Sequence, residues 1–375
     1  MSMKKVLHII PSLELGGTEA FIMNHYRTIN RSEIQFDFLV FSEQNWPYLP
    51  EIREMGGHVY YACQPSLKNV FLFYRYLKNV IRIGGPYIAV HCHADAGNAV
   101  PLLCSFLCGI QIRISHSHSS MQFTGNRWRG VIFGLRKKII RLTATNFMAC
   151  SEAAGCSLYG RMFFQKYGVV IKNGIFLEKF CCVNSKKVEE LKSVFNLSEK
   201  NSLIVGNISR FDTNKNQMFI IEVFRKILRN YPNAVLLLGG IDGGKLQAVQ
   251  ESVISHGLQE NVRFIGKRND VAECLKLIDV YLIPSMHEGL PIGLLEAQAS
   301  GCLCVASTGV PNESNMGLGN VFYLSLSNSA NYWAEFICDK IKGRVIPTEE
   351  EIYNAFKVKA FDVLESTKEL VKYYE

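Results

Sequence analysis

The chain contains no apolar stretch that could cross a bilayer as a helix. The uncharged, apolar-rich run 96–112 is broken by Asn98, Pro101, Ser105, Gly109 and Gln111, whereas a spanning helix needs about 20 mostly apolar residues. A secretory leader is not expected: behind Lys4 and Lys5 the apolar run 6–10 stops at Pro11, short of the ~7–15 residues of a signal-peptide core. Proline is scarce, at 11 in 375 residues, and a composition 48% hydrophobic and 20% charged is too apolar and too mixed for disorder. The twelve cysteines are scattered through apolar runs, which excludes a disulfide framework and fits free thiols in a reducing compartment. Also missing are a D-x-D pair, a G-x-G-x-x-G dinucleotide turn, a P-loop ending and zinc-finger spacing. With no basic block interleaved with aromatics, nucleic acid is not an expected partner. The expected location is cytoplasmic, peripheral on the inner face of the plasma membrane.

What is present is a regular alternation. Runs 6–10, 36–41, 59–62, 87–93 and 112–118 read as strands and 18–29, 69–83 and 130–143 as helices, on their β-branched and 3.6-residue periodicities. After residues 172–200 lose that rhythm, it resumes with strands at 203–209, 234–240, 262–266, 280–285 and 302–307, and with helices at 216–229, 244–256, 270–277 and 291–300. Alternation of this kind builds βαβ units around parallel sheets. The fold class is therefore α/β, with two doubly wound lobes expected to face across a cleft. The first spans 1–171, with 357–375 as a returning C-terminal helix; 172–200 is the connection and 201–356 the second lobe. A net charge of +8 favours an anionic partner, either a phosphorylated small molecule or an anionic membrane face.

The densest motif is PSMHEGLPIGLLEAQASG at 284–301. Pro291 suits a first helical position, and the amides of Ile292, Gly293 and Leu294 would then point out of the helix start towards a diphosphate or sugar hydroxyls. Gly293 would remove a side chain at that approach. Glu288 and Glu296, eight apart, could hold the transferred sugar and the vicinal hydroxyls of a ribose. The stretch resembles the E-x7-E motif of the retaining family 4 glycosyltransferases, whose two Rossmann-like lobes form the GT-B fold. The resemblance makes Glu288 and Glu296 the motif's two glutamates, with Gly289, Leu290, Pro291 and Ile292 as donor-binding neighbours.

Other segments agree with it. SRFDTNKNQ, 209–217, supplies Arg210 and Lys215 after a strand, cations able to neutralise a diphosphate, and it is similar to the family's R-(x)4-K-N segment. LELGGTE, 13–19, offers Gly16 and Gly17 for close backbone approach to a phosphate, with Thr18 as a cap of the next helix, and is similar to the glycine turn of the family's acceptor lobe that reaches the donor phosphates, which makes Gly16 and Gly17 donor-binding. In RISHSHSS, 113–120, His116 and His118 fall on one face; the family carries a histidine near this strand end that faces the transferred sugar, and His118 is the preferred match. FIGKRNDV, 264–271, resembles the strand and turn that hold the nucleotide base and contributes Arg268. In HCHAD, 91–95, His91 and His93 share a face, but with no third ligand apparent a metal site is not expected; an acceptor loop with Asp95 is.

The resemblance implies retaining transfer of a hexose or N-acetylhexosamine from a nucleotide sugar, UDP-linked, to a saccharide acceptor on a lipid carrier, in capsule or exopolysaccharide assembly. The nucleotide sugar is a co-substrate and no cofactor is expected. Two helices rich in cations and aromatics, with Lys68, Arg75, Lys78 and Arg82 beside Phe71, Phe73, Tyr74 and Tyr76, and with Arg136, Lys137, Lys138 and Arg141, could rest on an anionic membrane. A non-catalytic nucleotide-sugar-binding subunit and a nucleotide-sugar epimerase of similar fold are the competing readings.

Overall fold

A computed structural model of the chain describes residues 3–14, 16–119, 127–198, 200 and 202–375. Leu15 of the glycine turn and Ser120 of the histidine segment lie outside them. The chain divides into two compact units, Met1–Gly174 with Ala360–Glu375, and Ile175–Lys359. The stretch 172–200, expected as a connection followed by a short helix, holds two helices, Leu177–Cys181 and Ser185–Val194, and from Ile175 onward it belongs to the second unit.

The first unit is built on seven strands, β1 (Lys4–Ile9), β2 (Ile34–Val40), β3 (Val59–Tyr61), β4 (Ala89–Cys92), β5 (Ile112–Ser117), β6 (Asn146–Ala149) and β7 (Gly168–Val170), in the order β3-β2-β1-β4-β5-β6-β7. Every pairing is parallel. Parallel strands are covered on both faces and read as apolar runs, and all seven residues of β2 are buried. Its one charge, Asp37, accepts hydrogen bonds from the His58 amide and the Tyr87 hydroxyl, each at 2.8 Å. Residues 360–375 complete this unit. The helix Val363–Val371 packs on the helix Gly17–Thr28, Thr367 Oγ1 lies 2.7 Å from His25 Nδ1, and Leu370 and Tyr374 enter the core with Val6, Phe21 and Phe36.

The second unit has six parallel strands, β8 (Ile204–Ile208), β9 (Val235–Gly239), β10 (Val262–Gly266), β11 (Val280–Ile283), β12 (Leu303–Ser307) and β13 (Val321–Leu324), in the order β10-β9-β8-β11-β12-β13. Its largest buried side chain, Trp333, donates Nε1–H to the Ser325 carbonyl at 3.1 Å, so the indole is buried with its polar atom satisfied. In both sheets the strand order reverses beside the first strand, between β1 and β4 and between β8 and β11. Ligands of open α/β sheets bind beyond the carboxyl ends of the strands at such reversals. No helix among the described residues is long and apolar enough to cross a membrane.

Candidate functional site

In the second unit the loops that follow β8 and β11 straddle the reversal and are bonded into one structure. Asn214 is the fastener. Its Nδ2 donates to the His287 carbonyl at 2.8 Å, its Oδ1 accepts from the His287 amide at 3.0 Å, and its carbonyl accepts from the Met286 amide at 2.8 Å. Asn216 Nδ2 adds a bond to the Pro284 carbonyl at 3.3 Å. From the far side the Glu288 amide donates to the Gly309 carbonyl at 3.1 Å. A Cβ on Gly309 would collide with the Met286 carbonyl oxygen, so only glycine fits there.

This scaffold joins the two motifs directly. Lys215 Nζ lies 2.5 Å from Glu288 Oε1, with side chains 25% and 10% exposed. Arg210 is 61% exposed and is held by Asp212 at 2.8 Å, while the other Asp212 oxygen accepts the Lys215 amide at 2.9 Å. Burial works to raise the Asp212 carboxyl, but the Lys215 amide and the Arg210 guanidinium outweigh it and hold it below the usual carboxylate value. The turn thus presents both cations with a permanently charged brace.

The helix behind Glu288 runs from Ile292 to Ala299, one residue later than expected. Pro291, with φ −76° and ψ 103°, is its N-cap rather than its first helical residue. The Leu294 amide is also not free, because it bonds the Pro291 carbonyl at 3.0 Å. The outward amides are therefore those of Ile292 and Gly293. Gly293 has a different reason from the one expected: a Cβ there would lie 2.9 Å from the Tyr281 hydroxyl, which donates to the Ile208 carbonyl at 2.9 Å and so ties β11 to the end of β8 beneath the helix start. Glu296 is half-buried on this helix; burial raises its pKa to about 7, with Lys179 pulling the other way. Arg268, expected at the nucleotide base, is gripped through two nitrogens by Asp270 at 2.6 and 2.7 Å, so its charge is already answered.

In the first unit, Gly16 caps the helix Gly17–Thr28 through its backbone. Thr18, expected as the cap, lies inside the helix. A Cβ on Gly16 would press within 2.5 Å of Glu19 Oε2, a buried carboxylate whose other oxygen accepts from Ser12 Oγ at 2.7 Å. His116 is fully buried, whereas His118, just past β5, is partly exposed. Asp95 gathers this strand end, accepting from the His118 amide at 2.9 Å, Ser117 Oγ at 3.0 Å and Ser119 Oγ at 2.9 Å. Beside it lies a pocket of about 350 Å³ at the carboxyl ends of the strands, lined by Phe41, Gln64, Asp95, Ser117 and Arg136 among others. His91 and His93, for which the sequence shows no third ligand, have His8, His116 and His118 beside them.

Residues 188–316 fit the family described as Glycosyl transferases group 1. The Bacillus subtilis (strain 168) protein named "Putative glycosyltransferase EpsF" is 34% identical over 341 residues, 90% of this chain and 87% of that protein. The chain belongs to the group 1 glycosyltransferases. An Escherichia coli relative, UDP-Gal:alpha-D-GlcNAc-diphosphoundecaprenol alpha-1,3-galactosyltransferase, is 32% identical over 317 residues, covering 81% of this chain and 79% of its own length. Anabaena Alr3699/HepE, solved in complex with UDP, shares the fold with a TM-score of 0.79 at 16% identity, over 99% of both chains. This glycosyltransferase therefore has the two-sheet GT-B architecture expected from its motifs.

Proposed function

We propose that the chain moves a hexose or N-acetylhexosamine from a UDP-linked donor to a saccharide acceptor on a lipid carrier, with retention of configuration, in the assembly of a surface polysaccharide. The observation that carries this reading is the Lys215–Glu288 pair at the β8/β11 reversal, next to the outward amides of the helix Ile292–Ala299. HepE's complex with UDP and the galactosyl donor and diphosphoundecaprenol acceptor in the E. coli enzyme's name support the two substrate classes.

In this scheme the bond from the anomeric carbon to the diphosphate breaks, with the electron pair leaving on phosphate. An acceptor oxygen bonds that carbon on the same face and gives its proton to the departing phosphate. The main catalytic demand is the charge growing on the diphosphate, which Lys215, Arg210 and the two helix amides meet without a bridging metal. Glu288 orients the sugar and Glu296 accepts the ribose hydroxyls, while Gly289, Leu290 and the backbone after Arg268 line the donor. The acceptor is assigned to the first unit's strand-end pocket, with His118 and the Gly16–Gly17 turn on the same strand-end side. Nucleoside diphosphate release, measured with and without acceptor, tests the reading. Acceptor-dependent release supports it, no release in either case indicates a binding subunit, and a changed sugar without transfer indicates an epimerase.

Because the Glu296 carboxyl is lifted to about 7 and two ribose hydroxyls would bond its ionised form better, UDP-glucose should bind more tightly as pH rises from 6 to 8. The expected gain is on the order of fivefold to tenfold. Calorimetric titration should show that slope in the parent and a flat profile in Glu296→Gln. The sign for stability is opposite. A carboxyl raised above its ordinary value of 4.5 costs the unliganded fold stability as pH climbs from about 4.5 to about 7.

Membrane contact is part of the proposal. The helices Val70–Gly84, Ala99–Leu107 and Arg127–Thr143 pack side by side and expose Phe71, Ile83, Phe106, Leu107, Val131 and Leu142. Arg75, Lys78, Arg82 and Lys138 are exposed among them. The expected second cationic cluster is partly turned inward: Lys137 donates to the Ser157 carbonyl at 2.6 Å, Arg141 bonds the Tyr159 carbonyl, and Arg136 lines the pocket. Vesicles containing phosphatidylglycerol should sediment the protein at low salt and release it at high salt, and Arg75→Glu/Arg82→Glu should weaken that binding. Absence of binding at low salt would remove the membrane from the scheme.

A further inference from the structure

Five of the nine histidines meet on one face of the first sheet. His8 comes from β1, His91 from β4, His116 from β5, and His93 and His118 from the residues just beyond β4 and β5. Their rings are in mutual contact: His8 Nδ1 to His93 Nε2 at 3.0 Å, His93 Nδ1 to His118 Nε2 at 2.9 Å, and His91 Nε2 to His116 Nδ1 at 3.1 Å. Burial, the leading cause for each, drives their pKa values down, to about 3 for His8 and about 4 for His118. All five are therefore neutral imidazoles, the form that ligates metals.

Hydrogen bonding among themselves does not satisfy the group. A neutral imidazole has one N–H and one lone pair, so the series His8–His93–His118 brings three N–H groups to two N···N contacts. His8 Nε2, His116 Nε2 and His118 Nδ1 are all buried with no hydrogen-bond partner, and each unmet polar group is a penalty to the fold. One ring nitrogen from each of His93, His116 and His118 lies within 4.8 Å of those of the other two. We propose that these three histidines bind a divalent first-row transition ion of the zinc type, at the carboxyl ends of β4 and β5.

The surroundings fit such a site. With His93 Nδ1, His116 Nε2 and His118 Nε2 as ligands, the remaining nitrogens of His93 and His116 point at acceptors, His93 Nε2 at His8 Nδ1 and His116 Nδ1 at His91 Nε2, while His118 Nδ1 stays without a partner. His91 in turn has its Nδ1 at 2.8 Å from the Tyr374 hydroxyl. Metal-bound histidines are held in tautomer and orientation by partners of this kind. The 2.9 Å between His93 Nδ1 and His118 Nε2 is a few tenths of an ångström short of the ~3.3 Å edge of a tetrahedral zinc site with ~2.0–2.1 Å bonds. Because His118 is partly exposed, the site lies at the edge of the cluster. The other close triad, His8, His91 and His93, is buried throughout, and both nitrogens of His91 are taken by groups outside it, the Tyr374 hydroxyl and His116, whereas His93 Nδ1 in the proposed set is partnered by His118, itself a ligand.

The test uses the full chain without a histidine tag, stripped by a chelator and titrated with Co²⁺ for its visible tetrahedral bands and with Zn²⁺ against a chromophoric chelator. The expected result is one equivalent bound, weakened about tenfold or more in His116→Ala and in His118→Ala and unchanged in His256→Ala. His118 is at the edge of the cluster, so its variant keeps the question open if the buried one misfolds. No stoichiometric binding by the parent would overturn the site, as would tight binding that survives both substitutions or is lost only in His8→Ala. Binding of UDP-glucose to the same preparations reads the donor site separately.

Discussion

Glu288→Gln is expected to lower the turnover number for sugar transfer by roughly 10²–10³-fold while leaving the melting temperature within a few degrees. The glutamine keeps the size of the side chain but not its charge, so the 2.5 Å partnership with Lys215 and the grip on the sugar hydroxyls weaken together. Because the nucleotide and diphosphate are held elsewhere, UDP affinity should change far less than the rate. Acceptor-dependent UDP release, calorimetric UDP binding and a thermal melt on the same sample separate these effects. Substantial turnover by the folded variant would sink the role given to Glu288.

Lys215→Met should be comparably severe for a different reason. It removes the point charge opposite the growing diphosphate charge and also leaves Glu288, only 10% exposed, without its cation. A buried charge stripped of its partner costs about 3–5 kcal/mol, so a drop in melting temperature should accompany a loss of roughly 10²–10³-fold in rate. The double variant Lys215→Met/Glu288→Gln should regain much of the stability but none of the activity. Arg210→Met offers a contrast. Its side chain is 61% exposed and braced only by Asp212, so its loss should raise the KM for the donor more than it lowers kcat. Equal effects of the two cations on kcat would contradict this division.

The parts of this arrangement that were legible in the sequence are those written within one element or one loop. Long apolar runs such as β2 and β9 announce parallel strands, and the two glutamates sit eight apart on one loop and the short helix that follows it. β6 and β7 were missed because four and three residues carry too little periodicity to separate from a helix end. Asn214 was passed over although it stands between the named Arg210 and Lys215, because its role is to reach residues 286 and 287, 73 positions away from its partner at 287. Gly309 likewise makes sense only once the Met286 carbonyl is seen against it. His8 was hidden inside an apolar strand pattern; only the β1–β4 pairing, which sets His8 directly beside His91, gives it company. Pro291 was misplaced by one position because proline is tolerated both at the cap and at the first helical residue, and sequence alone does not separate the two.

Residues 360–375 fill part of the first unit's core with Leu370 and Tyr374, although 185 residues of the second unit, 175–359, intervene. During vectorial synthesis the amino-terminal sheet must therefore wait, one hydrophobic wall open, until nearly the whole chain has been translated. At about 5–20 residues per second that delay is on the order of ten seconds or more. The contiguous second unit carries no such debt and can close on its own schedule. The order in which the halves mature is thus inverted relative to the order in which they are made.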